Sequence, residues 1–291
     1  MITHLHNKPV APARIVILGA GGFVSSAIQH KLEALNTNVL PLTQDMLDLT
    51  HQGAGTKLAN LLHSDDALLF VAAKAPVKTE SMLIENLRMC ESVCEALRLS
   101  PVHQVVYISS DAVYADSNSP LTESSCAQPG TLHGIMHLAR EVMLSNAYSG
   151  PLCFIRPTLI YGSDDPHNGY GPNRFMRLAS KGQEIVLFGE GEERRDHVWV
   201  EDVAELVSRV LLHCSKGILN IATGTVMSFK EIAELSMHLA GKTSLIKPTK
   251  RVGSMPHNGY RPFDPKSTLE AFPDFRYTLP IEGLKNIIAN R

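Results

Sequence analysis

One short run constrains this chain more than any other. Arg14–Leu18 (RIVIL) passes directly into Gly19-Ala20-Gly21-Gly22 and then into a helical pattern from Val24 to Leu35. The apolar, β-branched run suits a strand buried on both faces, as in a parallel sheet. A glycine turn between such a strand and a helix aims backbone N–H groups and the positive helix end at an anion such as a diphosphate. Gly19 and Gly22 keep a three-residue step, and Ser25 stands where a third glycine would continue it. Serine is still small enough for close helix packing. A tight connection with no ligand is the plain alternative. However, the turn follows the first strand and opens the first helix, which is the context dinucleotide binding requires.

The rest of the chain repeats the alternation. Val39–Leu42, Ala67–Ala73, Gln104–Ser109 and Leu152–Ile155 read as strands, with Gly55–Leu62, Ser81–Leu99 and Thr131–Ala147 as helices. This predicts an α/β fold: a Rossmann-like, doubly wound parallel sheet with helices on both faces. After Arg156-Pro157 the rhythm loosens. Ser163–Asn173 is turn-rich, Arg174–Ser180 and Glu201–His213 read as helices, and Glu184–Phe188 and Ile218–Ile221 as strands. Ser228 caps a helix over Phe229–Leu239 with Glu231 in the capping-box position, and a last helical segment falls around Ile281–Ile288. The expected division is a flexible tail (1–12), a dinucleotide-binding domain (13–213) with an excursion at 161–193, and a smaller C-terminal substrate-binding lobe (214–291). Lobe and excursion together are expected to cover the carboxyl edge of the sheet.

At 291 residues there is room for one large domain and a smaller lobe. A net charge of −2 gives no electrostatic footprint for nucleic acid or an anionic membrane. No stretch reaches the roughly 20 apolar residues of a membrane span. MITHLHNKPVAPAR lacks the apolar core of a secretory signal. Five cysteines without framework spacing read as reduced thiols, so the expected location is cytoplasmic. Cys90 and Cys94 share a helix face and read as packing residues, not metal ligands.

The second strand ends in Leu42-Thr43-Gln44-Asp45. An acidic residue at that tip would hold the ribose hydroxyls of NAD, and an arginine nearby would suit the extra phosphate of NADP. Neither stands there, and Asp45 lies beyond the expected place. The cofactor is read as NAD(P), with the missing cation favouring NAD.

Several separated stretches resemble the extended short-chain dehydrogenases, and within them the nucleotide-sugar epimerase, dehydratase and 4-keto reductase group. GAGGFV resembles the family's glycine turn, which implies cofactor contacts at Gly19, Gly21, Gly22, Phe23 and Val24. LPLTQDMLDLT is similar to the second-strand region, with Thr43 nearby and Asp48-Leu49 where the family meets adenine. FVAAKA resembles the strand that lines the cofactor, placing Ala72 and Ala73 beside it. VVYISSDAVY is the most specific piece. It implies Ser110 as the residue that hydrogen-bonds the reacting sugar hydroxyl, next to Asp111 on the substrate side. IVLFGEGEERRDHVWVEDVA resembles the segment that cradles the sugar's nucleotide, with Phe188 beside the base and Arg195 on the phosphates. RPFDPKS implies Arg261 as a second phosphate ligand. Each residue also has a plainer reading: Ser110 as a turn cap, Arg195 as a surface cation among Glu192, Glu193 and Asp196, and Phe188 as core. The resemblance further implies a homodimer formed through two helices, and a role in nucleotide-sugar metabolism for surface polysaccharide.

The family carries a tyrosine acid/base on a helix with a lysine four residues later; the lysine lowers the phenol's pKa and holds the nicotinamide ribose. The matching positions here are His133 and His137. Three readings stay open. His133 acts as acid/base while His137 orients the ribose, since imidazole titrates near neutrality unaided. Alternatively redox is lost or much reduced, and the protein performs non-redox proton transfer or only binds dinucleotide and nucleotide sugar with little or no redox turnover. Or the pair binds a metal, for which a third ligand is not evident and Cys126 and His103 are only the nearest by sequence. The preferred reading is an atypical nucleotide-sugar enzyme with catalytic residues Ser110, His133 and His137 and no metal.

Overall fold

The computed structural model of the chain describes residues 1–166, 168–241, 243 and 245–289. In chain order the strands are β1 (Thr3–His4), β2 (Arg14–Leu18), β3 (Val39–Leu42), β4 (Asp66–Phe70), β5 (Gln104–Ile108), β6 (Leu152–Pro157), β7 (Leu159–Tyr161), β8 (Ile185–Phe188), β9 (Arg194–Trp199), β10 (Ser215–Ile221), β11 (Val226–Ser228), β12 (Ile246–Thr249) and β13 (Tyr260–Arg261). The helices are α1 (Phe23–Ala34), α2 (Ala54–Ala59), α3 (Glu80–Leu99), α4 (Leu132–Ala147), α5 (Pro172–Ser180), α6 (Val200–Leu212), α7 (Phe229–Leu239), α8 (Lys266–Ala271) and α9 (Pro280–Ala289).

The chain divides into two compact units. The larger holds Met1–Ala115, Glu123–Pro157 and Val203–Ile221; the smaller holds Asp116–Thr122, Thr158–Asp202 and the chain from Ala222 onward. The larger unit is built on a seven-stranded sheet in the order β1-β10-β6-β5-β4-β2-β3. From β10 to β3 every pairing is parallel. β2, β4 and β5 are buried along almost their whole length, as their apolar sequences require. The chain runs from β2 outward to β3 and then returns to β4 on the other side, so the switch point of the sheet lies at the carboxyl ends of β2 and β4. That is where open α/β sheets bind their ligands.

The smaller unit centres on β9, flanked by β11 and β13 along its first half and by β7 along its second. A separate parallel pair joins β8 to β12. Phe175, Ile185, Leu187, Phe229, Ile232 and Met237 form its core between α5, α7 and β8.

Three expectations are corrected. The first residues are not a free tail, because Thr3 and His4 pair antiparallel with Lys216 and Ser215 of β10. β10 completes the large sheet rather than opening the C-terminal lobe, while Asp116–Thr122 and Arg194–Asp202 belong to the smaller unit. β4 stops at Phe70, so Ala72 and Ala73 lie in the loop beyond it. No helix among the described residues is long and apolar enough to cross a membrane.

Candidate active site

Gly19 adopts φ +86°, and a Cβ there would stand 2.5 Å from the Ala72 Cα. Only glycine allows the turn and the Ala72 loop to meet at the switch point. Gly21 is also left-handed at φ +84°, with open space where a side chain would stand. Ser25, fully buried, closes the turn from within. Its hydroxyl accepts from the Gly22 amide at 2.9 Å and donates to the Gly19 carbonyl at 2.8 Å. Gly22 is the N-cap of α1, and Phe23 and Val24 supply the next two amides. Amides at a helix start have no partner within the helix.

The neighbouring loop is ordered by Asp48, whose carboxylate accepts from the Thr50 hydroxyl at 2.7 Å, the Thr50 amide at 2.8 Å and Gln44 at 3.2 Å. Those bonds, the Thr50 hydroxyl's first, pull the Asp48 carboxyl down to about 2. Leu49 is buried beneath it, and the Thr43 carbonyl accepts the Met46 and Leu47 amides. Ala72 is half-buried against Gly19 and Ala73 is exposed.

Beyond β5, the Ser110 hydroxyl caps the short 3-10 turn Asp111–Val113, accepting from the Ala112 amide at 3.1 Å. The same oxygen lies 3.4 Å from a carboxylate oxygen of Asp111, which is itself buried. Thr131 caps α4, and Gly134 sits so tightly that a Cβ there would overlap the Ala112 carbonyl oxygen. This contact fixes the first turn of α4 against the turn carrying Asp111, and so sets the height of His133.

The two histidines lie edge to face, with ring centroids 4.7 Å apart. Burial lowers the His133 pKa, and the Asp111 carboxylate pulls the other way. Its Nδ1 faces the Val77 amide at 3.5 Å. His137 is held still more firmly in the neutral form, by burial first and then by the charges of His133 and Arg140. Its Nδ1 shares a 2.7 Å hydrogen bond with the Tyr107 hydroxyl, a phenol that burial raises well above its ordinary range.

Beneath the rings lies a polar frame that the sequence reading did not identify as part of the site. Arg140, fully buried, donates to the Ala72 carbonyl at 2.8 Å and to the Asn86 carbonyl at 2.9 and 2.7 Å, with its guanidinium 4.9 Å from the centre of the Phe70 ring. Asn86 in turn accepts from the Lys74 amide and donates to the Lys74 carbonyl, each at 3.0 Å. Arg140 thus ties α4 to the loop that receives Gly19. One residue on, Glu141 accepts two bonds from Arg156, at 2.9 and 2.5 Å, and one from Ser109 at 2.6 Å. Burial alone would lower the Arg156 guanidinium, but the bonds and charge of Glu141 raise it. Arg156 reaches on to Tyr114 at 2.9 Å, and Tyr114 to Asn220 at 2.7 Å. One signal for this frame was in the sequence: a charged residue in the central strand LCFIRP requires a partner. Tyr148 is core, its hydroxyl bonded to the Val102 carbonyl.

The substrate residues expected in the smaller unit fall on neighbouring elements. Arg195 and Arg261 are register partners across β9 and β13. Arg195 is not a surface cation; its guanidinium lies 3.3 Å from Glu193, and both side chains are largely buried. Arg261, almost fully buried, donates to Asp116 at 3.0 Å, and the same nitrogen lies 3.1 Å from His257. Burial lowers the His257 pKa, and the Arg195 charge adds to this. Asp116 was missed because its link to Arg261 joins segments far apart in the sequence. Phe188 is exposed rather than core, and stacks on Tyr170 with centroids 4.5 Å apart.

The comparisons with known proteins agree with this architecture. The model of the NAD dependent epimerase/dehydratase family matches residues 15–222, and the chain belongs to that family of enzymes. A putative GDP-L-fucose synthase 2 of Oryza sativa subsp. japonica is 28% identical over 260 residues, covering 80% of this chain and 75% of the relative. A putative UDP-glucose 4-epimerase of Methanocaldococcus jannaschii is 25% identical over 254 residues, covering 78% and 82%. Among solved structures, the Thermus thermophilus UDP-glucose 4-epimerase in complex with NAD superposes with a TM-score of 0.81 at 22% identity, over 95% of this chain and 98% of that one. A GDP-L-fucose synthetase from Naegleria fowleri bound to NADP gives 0.83 at 16% identity, over 99% and 96%. These likenesses establish the Rossmann-like fold.

Proposed function

We propose that the chain is an NAD(P)-dependent enzyme acting on a nucleotide-activated sugar, by epimerisation, dehydration or 4-keto reduction, with His133 as its acid/base. The observation that carries this reading is the start of the His133 helix, capped by Thr131 and locked by Gly134 against the turn that carries Asp111. The relatives named above, a fucose synthase and sugar-nucleotide epimerases, support the substrate class.

The larger unit fits a dinucleotide. Gly19 and Gly21 give the bare, left-handed backbone that a diphosphate needs, and Gly22, Phe23 and Val24 bring the start of α1 to it. Asp48 and Leu49 would border the adenine, with Thr43, Ala72 and Ala73 along the cofactor. When bound, the nicotinamide supplies the hydride acceptor and donor.

His133 does the proton work. A ring whose pKa is lowered stays unprotonated at neutral pH, ready to take a proton from a sugar hydroxyl. Once protonated, its charge is met by the Asp111 carboxylate, as a base and its orienting acid cooperate elsewhere. Ser110, held by its cap, presents its oxygen beside the same hydroxyl. His137 plays the lesser part: with Nδ1 given to Tyr107, its other nitrogen is left for the ribose. Arg195 and Arg261 would take the substrate's phosphates, with Phe188 and Tyr170 flanking its base.

The neutral, buried His137 favours a second reading, a dinucleotide- and nucleotide-sugar-binding protein with little redox turnover. Mass spectrometry of small molecules released from fresh protein, with reduced-nicotinamide absorbance followed across a panel of sugar nucleotides, separates the two. An NAD-type ion with an absorbance change supports the enzyme. An NAD-type ion with no change on any sugar supports the binding protein, and no dinucleotide at all contradicts both.

A cytoplasmic homodimer completes the proposal. Ile84 of α3 and Ile135 and Val142 of α4 are exposed, an apolar face suited to a second copy. Light scattering should give twice the chain mass, and Ile135→Glu with Val142→Glu should halve it.

A further inference from the structure

The opposite edge of the large sheet carries a cluster that the proposed reaction does not use. His103 immediately precedes β5, Cys214 immediately precedes β10, and His6 follows β1. One ring nitrogen of each histidine and the Cys214 Sγ lie within 4.8 Å of one another. His103 and Cys214 stand at amino ends of strands, and the antiparallel pairing of β1 brings the residues after it to the amino end of β10. Gly19 and Ser110 follow carboxyl ends of parallel strands, so the cluster lies across the sheet from the dinucleotide turn.

Three features suggest a built site. The Cys214 Sγ is 3.3 Å from His103 Nε2, and Cys214 is almost completely buried. Cys214 holds φ +45°, a left-handed conformation that a residue with a side chain rarely adopts and that tends to mark functional positions. His6 Nδ1 is buried and has no hydrogen-bond partner, which calls for an explanation such as a bound ion.

The surrounding backbone is fixed. The Leu5 and His6 amides donate to the His213 carbonyl at 3.2 and 3.0 Å, and His213 Nδ1 lies 2.9 Å from the His6 carbonyl oxygen. Gln104 donates to the Ser215 carbonyl at 3.0 Å, holding the start of β5 beside the start of β10. The two thiols Cys90 and Cys94, 4.0 Å apart, have no third ligand within such a cluster among the described residues.

We propose that His6, His103 and Cys214 form a binding site for a borderline-soft divalent cation of the zinc class. Two imidazoles and a thiolate suit that class, and three protein ligands leave a fourth tetrahedral position for water. On binding, the Cys214 thiol passes its proton to solvent as the metal–sulfur bond forms, and each imidazole contributes a lone pair. The ion would clip the segment carrying β1 to the amino ends of β5 and β10.

The test uses the full, tag-free chain, reduced and stripped with chelator, and titrated with Zn²⁺ by competition against a chromophoric chelator and with Co²⁺ by absorption. The expected result is one equivalent of either metal per chain and a thiolate-to-cobalt charge-transfer band. Cys214→Ser should abolish the band and weaken zinc binding at least 100-fold. His103→Asn, at an exposed side chain that substitution should not unfold, should weaken it at least tenfold. Cys126→Ser, at an exposed thiol elsewhere, should change neither. The proposal is overturned if folded wild-type protein gives no cobalt–thiolate band, if the band survives Cys214→Ser, or if His103→Asn leaves zinc affinity unchanged. Cys214 and His103 would then share a thiol–imidazole hydrogen bond and nothing more.

Discussion

The glycine turn after β2 and the first half of α4 lie in one unit and have been treated differently. The turn keeps its bare backbone, and its single departure, Ser25 for glycine, is absorbed by hydrogen bonds that tighten the loop. On α4 the frame is built just as firmly, with Arg140 on the Ala72 carbonyl and Glu141 on Arg156, yet the two residues the frame presents are histidines. A cofactor cradle depends on backbone shape, which few substitutions tolerate. An acid/base depends on a proton affinity and a position, and more than one side chain can supply both. Under the proposed function, that difference makes binding and chemistry on this scaffold separable.

The largest expected effect is at the turn. Gly19→Ala adds a clash with Ala72 to a left-handed φ, together about 2–5 kcal/mol, and should lower dinucleotide affinity on the order of 100-fold by calorimetry. Unchanged affinity would break the comparison at its firmer end. On α4, Glu141→Ala leaves Arg156 buried without its carboxylate and should destabilise the fold by about 3–5 kcal/mol in urea unfolding. A loss under about 1 kcal/mol, the range of an exposed ion pair, would mean that the frame does not hold the helix.

The histidines should show in the pH dependence of stability. Both have folded pKa values below the unfolded value near 6.5, so the unfolded chain binds protons first as pH falls. Their contribution is full above that value and is lost on acidification through it. The melting temperature should fall between about pH 7.5 and 5.5, and His137→Phe should flatten the slope. The smallest effect is expected of Ser25→Ala, about 1 kcal/mol; a much larger loss would show that serine is required at the turn rather than merely accommodated.

Much of this fold was legible in the sequence because its information is local. RIVIL gave β2 to the residue, and the Ser228 cap with Glu231 gave α7 its boundaries. The turn and both histidines could be placed for the same reason. β9 was not read as a strand, because RRDHVW begins with charged residues that owe their strand conformation to neighbours on three other strands. The Glu141–Arg156 pair, the Asp116–Arg261 contact and the His6, His103 and Cys214 cluster each join distant segments. No spacing in the sequence reports them. Residues 1–12 were taken for a tail because two strand residues carry no periodicity; pairing with β10 and amide bonds to the His213 and Leu212 carbonyls hold the segment.

The most direct test of the account measures dinucleotide affinity and turnover together in wild type and His133→Ala, on whichever sugar nucleotide changes the nicotinamide absorbance. The account predicts unchanged affinity with turnover reduced by about 10²–10⁴-fold, and partial recovery in His133→Tyr with His137→Lys. Turnover that His133→Ala leaves intact would contradict it.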